Sequence, residues 1–156
     1  MRPSPPTRLP GERLTRCLAQ TGYRFTPQRQ HVYAVLLAKR DHPTAEQVFL
    51  RAKRAMPEIS MATVYNCLDT LVKCGLVREV NLERAATRYC PNMQEHLHFY
   101  CEACGQVFDI DLKADGRASG FHLPPGFRPA RFHVSVRGAC PRCADRTSRP
   151  PRAPDR

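Results

Sequence analysis

The sequence predicts an α+β fold, with helices first and short strands after them. Three observations carry this prediction. Apolar residues recur at helical spacing as far as Gly75, and the runs open on capping residues or proline. Beyond Gly75 the apolar residues come in short runs of strand length. Two Cys-x-x-Cys knuckles, Cys101/Cys104 and Cys140/Cys143, stand 35 residues apart and mark a small stapled unit. The 156 residues suit one domain or two small ones, and 42% hydrophobic residues exclude wholesale disorder.

Each element has a local reason. Gly11–Thr21 carries Leu14, Cys17 and Leu18 at helical spacing. Thr26-Pro27 supplies an N-cap followed by proline at the first helical position, with Val32, Val35 and Leu36 as the buried stripe. Thr44 and Gln47 form a capping box that opens a third helix with Val48 and Phe49, ended before Pro57. Ser60 caps a fourth, in which Val64, Leu68, Leu71 and Val72 face inward and Gly75 closes the last turn. Strand-like runs follow at Leu76–Val80, Thr87–Cys90, His96–Cys101, Val107–Leu112 and Arg131–Val136. Seven of the fifteen prolines lie in Met1–Pro10 and Thr147–Arg156. The expected organisation is therefore loose tails at 1–10 and 145–156, a helical domain at 11–82 and a strand-rich domain at 83–144.

Helices, the tight connection Pro57–Ile59, a further helix and a hairpin follow the order of a winged helix-turn-helix. That module sends its last helix into the DNA major groove. On the Ser60–Cys74 helix the inward stripe leaves Ala62, Thr63, Tyr65, Asn66 and Asp69 facing away, where Tyr and Asn can reach base edges or phosphates. Residues 1–80 carry 13 Lys/Arg against 6 Asp/Glu and so hold +7 of the net +11. A basic surface alone is compatible with mere solubility. Joined to a reading helix, it points to double-stranded DNA. Uncharged runs such as Ile59–Leu68 span only ten residues, too short to cross a bilayer, and the first residues show no apolar signal segment. A reducing, cytoplasmic setting is expected, in which cysteines bind metal or pack.

Four soft thiolates with two-residue spacers suit a closed, non-catalytic tetrahedral zinc site at Cys101, Cys104, Cys140 and Cys143. A thioredoxin-like redox pair should open a helix in a βαβ setting, and no such setting is expected here. Cys17, Cys67 and Cys74 fall on or beside apolar helix faces and read as packing residues. Cys90 differs, because His96 and His98 follow it. Residues i and i+2 of a strand point the same way, so both imidazoles can grip one ion, with Cys90 and Asp109 nearby in sequence. His42 comes from the helical half. A site that also drew on His42 would couple metal occupancy to the relative orientation of the two halves. A zinc hydrolase or deaminase using Cys90, His96 and His98 is the competing class. It lacks the His-x-Glu of the deaminases, so no catalytic residue is expected.

Gly22-Tyr-Arg-Phe-Thr-Pro-Gln-Arg29, His42-Pro-Thr-Ala-Glu46, Ala62-Thr-Val-Tyr-Asn66, His96-Leu-His98 and the two knuckles together resemble the ferric uptake regulator (Fur) family, over roughly residues 11–144. The resemblance implies a homodimeric bacterial repressor with a winged helix, an α/β dimerisation domain and an inverted-repeat operator. It implies structural Zn²⁺ on the four knuckle cysteines and a regulatory Fe²⁺, Mn²⁺ or Zn²⁺ on His42, Cys90, His96, His98 and Asp109. Tyr65 and Asn66 would read the major groove, with Thr63 on the same face. Arg24 would enter the minor groove, and Arg29, in the same motif, is a further candidate DNA-binding residue that either touches phosphate or packs. His42-Pro-Thr-Ala, Tyr65-Asn66 and Asp109 are similar to the peroxide-sensing (PerR-like) branch, in which bound Fe²⁺ lets peroxide oxidise a ligand histidine and releases DNA. Cys90 replaces that branch's aspartate with a softer ligand and resembles the zinc-sensing (Zur-like) branch. Glu95 and Leu97 replace the usual histidine and acidic residues of a third, family-variable metal site.

Overall fold

The computed structural model describes residues 10–81, 85–94, 96–111 and 135–147, with 125, 126 and 128 in addition. It is an α+β chain that divides into two compact units between Met93 and Gln94.

The first unit begins with α1 (Pro10–Gln20), α2 (Pro27–Ala38), α3 (Ala45–Ala52) and α4 (Met61–Lys73). The caps expected from the sequence are all made. Thr26 accepts from the Arg29 N–H, and Pro27 opens α2. Thr44 and Gln47 exchange both bonds of a capping box at α3, and Ser60 accepts from the Thr63 N–H at α4. At the end of α4, Gly75 adopts a left-handed φ of 65°. The Leu76 N–H then returns to the Leu71 carbonyl and the Gly75 N–H to that of Val72, which completes a Schellman closure. α1 ends the same way through Gly22.

Their apolar faces meet in one core. Leu14, Leu18, Val32, Leu36, Val48, Val64, Leu68 and Leu71 are buried there. Val35, Phe49 and Val72 pack against its margin. Cys67 lies within this core and Cys17 and Cys74 at its edge, in keeping with a packing role. Burial pushes the Cys67 thiol above its ordinary value.

A two-stranded antiparallel sheet follows, β1 (Arg78–Val80) with β2 (Arg88–Cys90), in register Arg78 to Cys90. Pairing draws β2 back onto the helical unit, so that unit runs eleven residues past the expected boundary at 82. The sequence pattern changes near residue 80 because helix gives way to hairpin there, not because one unit ends.

The second unit holds β3 (His96–Cys101), β4 (Val107–Asp111) and β5 (Ser135–Gly138) in the order β4-β3-β5. β4 is antiparallel to β3, whereas β5 runs parallel to it. The last expected strand, Arg131–Val136, has its residues 131–134 outside the described ones, and β5 runs two residues beyond its expected end, to Gly138. A further helix, α5 (Pro141–Thr147), starts at the second knuckle. It was not expected, and it makes helical residues 145–147, assigned to the tail, and Cys143, with Cys140 just before its first turn. Pro141 at the first helical position is the local cause. Pro10, also assigned to a tail, opens α1. Residues 1–9 and 148–156 lie outside the described residues.

Leu68 is fully buried on α4, at the centre of the helical core. Replacing it by Ala is expected to cost about 2–5 kcal/mol. The check is a denaturant melt followed by helical circular dichroism; a loss under 1 kcal/mol would contradict this packing.

Candidate metal centres and nucleic-acid face

The four knuckle cysteines converge within the second unit. Cys101 ends β3, and the chain turns back through Gly105, whose left-handed φ of 66° lets its N–H reach the Cys101 carbonyl at 2.8 Å. The other pair straddles the start of α5, Cys140 just before it and Cys143 in its first turn, and the N–H groups of Cys143 and Ala144 both bond the Cys140 carbonyl. One sulfur from each of the four lies within 4.8 Å of the others, and Cys104 Sγ stands 3.9 Å from Cys140 Sγ. Zinc with sulfur at about 2.3 Å in a tetrahedron needs sulfurs about 3.8 Å apart, so the cluster fits the ion.

Electrostatics agree with that fit. The Cys140 N–H donates to Cys101 Sγ at 3.3 Å and leads the contributions that bring the Cys101 thiol down to about 6. Cys143 is pushed up to about 12, chiefly through its contact with Cys140. Four close sulfurs cannot all ionise unless a cation shares their charge.

A second donor set lies on the sheet of the same unit. His96 and His98 alternate with Leu97 along β3 and so share a face, and His98 is in register with Asp109 on β4. Their Nε2 atoms are 2.9 Å apart, and Asp109 Oδ1 lies 3.2 Å from His96 Nε2 and 3.8 Å from His98 Nε2. His96 Nδ1 sits 2.7 Å from the Gln94 carbonyl. A carbonyl only accepts, so Nδ1 donates there, which orients the ring with Nε2 toward His98 and Asp109. Two imidazoles and one carboxylate on one face form a set that divalent transition metals favour.

His42 and Cys90 come together in the helical unit, each buried and each offering an atom within 4.8 Å of the other's. Chain connectivity alone would not bring them together; the pairing of β2 with the loop before α3 does. The Tyr89 N–H bonds the Pro43 carbonyl, Thr44 bridges Arg88, and the Arg88 guanidinium donates to the His42 carbonyl at 2.9 Å. On the other side of the loop, Arg51 binds Asp41 through two bonds of 2.8 and 2.7 Å, with Lys39 adding a third contact. Burial alone would raise the Asp41 carboxyl, but the hydrogen bonds from Arg51 and Lys39 outweigh it and hold the group below the usual carboxylate range. His42 itself has a left-handed φ of 52°. Sequence reasoning missed Asp41, Arg51 and Arg88, since ion pairs and carbonyl contacts between separate elements leave no periodic signal.

The candidate DNA-facing residues are distributed as follows. Ala62, Tyr65, Asn66 and Asp69 are exposed on α4, Tyr65 at 47%. Thr63 is half-buried, and its hydroxyl meets Ser60 Oγ at 2.8 Å, so it also takes part in capping α4. Arg24 is exposed on the loop before α2. Arg29 is half-buried, with its guanidinium over the Tyr23 ring and Nη1 donating to the Arg24 carbonyl.

A sequence model described as the ferric uptake regulator family matches residues 20–119. The chain belongs to the ferric uptake regulator family. It is 30% identical over 131 residues to the peroxide-responsive repressor PerR of Staphylococcus aureus, covering 83% of this chain and 88% of that one. Among solved structures, the Campylobacter jejuni peroxide stress regulator is 26% identical at a TM-score of 0.60, covering 87% and 100% of the two chains. The Helicobacter pylori ferric uptake regulator Fur shares the fold at a TM-score of 0.68 and 21% identity, covering 85% and 90%. As a Fur-family member the chain is a metalloregulator and not an enzyme. Fur-family regulators bind DNA and function as dimers. Among the described residues, no helix is long and apolar enough to cross a membrane.

With zinc on the four sulfurs, Cys101→Ser or Cys140→Ser is expected to abolish metal that survives dialysis against EDTA. Alkylation followed by mass spectrometry should then label Cys104 rapidly while Cys67, buried in the helical core, stays protected. Equal zinc retention in wild type and Cys101→Ser would remove that cysteine from the site.

Proposed function

We propose that this chain is a metal-dependent, DNA-binding transcriptional repressor that acts as a homodimer in the bacterial cytoplasm on an inverted-repeat, double-stranded operator. The observation that carries the reading is the His96–His98–Asp109 triad, with the His96 ring oriented by the Gln94 carbonyl. It is a ready ligand set in a protein whose helical unit carries a ligand pair of its own. A regulatory ion on His42, Cys90, His96, His98 and Asp109 ties the two units to one relative orientation, and its loss releases them. Structural Zn²⁺ on the four knuckle cysteines keeps the strand-rich unit folded and takes no part in sensing. On the DNA side, Tyr65 and Asn66 read base edges from α4, with Thr63 beside them, and Arg24 enters the minor groove, where narrow A·T-rich segments attract arginine.

Peroxide is the signal this reading favours, with Fe²⁺ or Mn²⁺ as the regulatory ion. The S. aureus peroxide-responsive repressor at 30% identity supports it, as does the imidazole–carboxylate triad, a set suited to such ions. With Fe²⁺ bound, the ion supplies a route by which peroxide oxidises a ligand histidine. The second reading, zinc sensing, is favoured by Cys90, a buried thiol beside His42 and a soft ligand that selects zinc.

One titration separates the readings. Purified dimer loaded with Zn²⁺, Fe²⁺ or Mn²⁺ is expected to prefer an inverted-repeat duplex over random DNA, with affinity falling steeply as salt rises. Absence of any such preference would end the repressor reading. If low peroxide releases DNA from the iron form and mass spectrometry finds an added oxygen on His42 or His96, the signal is peroxide. If peroxide leaves binding intact and only zinc restores it to metal-free protein, the signal is zinc. Cys90→Asp should move metal preference away from zinc in either case.

A further inference from the structure

Arg24 projects from a loop that is built with unusual care for six residues of chain. Gly22 ends α1 in a left-handed turn, and the Tyr23 N–H returns to the Leu18 carbonyl at 2.9 Å. Thr26 caps α2 at the loop's other end. Arg29, in the first turn of α2, reaches back over this loop. Its guanidinium lies 5.6 Å above the centroid of the Tyr23 ring, and its Nη1 donates to the Arg24 carbonyl. With Thr26, Gln28, Thr63 and Asn66, it also lines a recess between the start of α2 and the exposed side of α4. One side chain therefore touches the loop that bears Arg24 and borders the helix that bears Tyr65 and Asn66.

We propose that Arg29 is a positioning residue for DNA recognition, fixing the backbone from which Arg24 projects, and not a phosphate contact in its own right. The inference rests on the DNA-binding reading above. Its chemistry is specific to arginine. A planar guanidinium can stack on an aromatic face while its edge donates to a carbonyl, whereas a lysine ammonium, a single compact charge, cannot do both in this geometry. The alternative role, neutralising a phosphate, needs only charge and would accept lysine.

A double-mutant cycle on the full-length, metal-loaded chain tests it. The probes are duplexes that the wild type enriches from a randomised pool, with outer positions held A·T-rich or G·C-rich. Arg24→Ala, Arg29→Ala and the double variant are each expected to weaken binding by a similar factor, about tenfold, since coupled residues are not additive. Arg29→Ala should also lose the preference for A·T-rich outer positions to the same degree as Arg24→Ala, which mere loss of stability would not do. Arg29→Lys should behave like Arg29→Ala. Arg29→Met keeps the apolar stem and repeats the comparison should the alanine variant fold poorly. Additive losses, or rescue by lysine with an unchanged salt slope, would overturn the proposal and make Arg29 a phosphate contact. If the wild type enriches no duplex at all, the DNA-binding reading itself fails, and that outcome is separate from a failed cycle.

Discussion

Four thiols drawn within 4.8 Å of one another are the constraint around which the described part of the strand-rich unit is arranged. Among its described residues, Tyr100, Cys101, Val107 and Cys140 are the buried hydrophobics, and two of these are knuckle cysteines. A dication that neutralised the four sulfurs would link the end of β3 to the start of α5. The same link would fix β3, and β3 carries His96 and His98 toward Asp109. The four-cysteine cluster and the His96–His98–Asp109 set thus share a strand, with Phe99 and Tyr100 between His98 and Cys101.

The helical unit is held differently, by apolar packing and by caps that leave few helix ends to water. Its polar frame is reserved for one loop. Residues 41–44 are secured on one side by the Asp41–Arg51 pair and on the other by β2, through Arg88 and Tyr89. Such bracing keeps a histidine in a left-handed conformation that a free loop would leave, a cost of order 1–3 kcal/mol that the surroundings offset. Because α3 begins at the far end of this loop, whatever seats His42 also seats the first turn of the helix that packs against α4.

What was legible in the sequence was what is local. Thr26-Pro27, Thr44 with Gln47, Ser60 and Gly75 each placed a helix end within a residue or two, since capping chemistry acts over a single turn. The knuckles and the His-x-His pair were readable for the same reason, as spacers of one or two residues determine which side chains can converge. The extent of the helical unit was not legible. It rests on β2 pairing with β1 and with the loop at Thr44, a contact across more than forty residues. Nor was α5, whose start was visible only as a proline inside a metal motif. Arg29 shows the limit most plainly. Its place in a motif was readable, but the atoms it touches were not.

The parallel alignment of β5 with β3 carries a kinetic consequence. Pairing His98 with Ser135 must wait until the chain between them has looped back, whereas β4 follows β3 after a short turn. Closing a loop of about 35 residues costs about 3 kcal/mol in chain entropy beyond a constant, before any strand bond forms. The β3–β4 hairpin can thus assemble early with His96, His98 and Asp109 already side by side, while β5 and the second knuckle arrive late. A zinc ion already held by Cys101 and Cys104 would shorten that search by capturing Cys140 and Cys143 as they pass. Zinc supply during synthesis would then govern how fast the regulator becomes competent, apart from any signal it later senses.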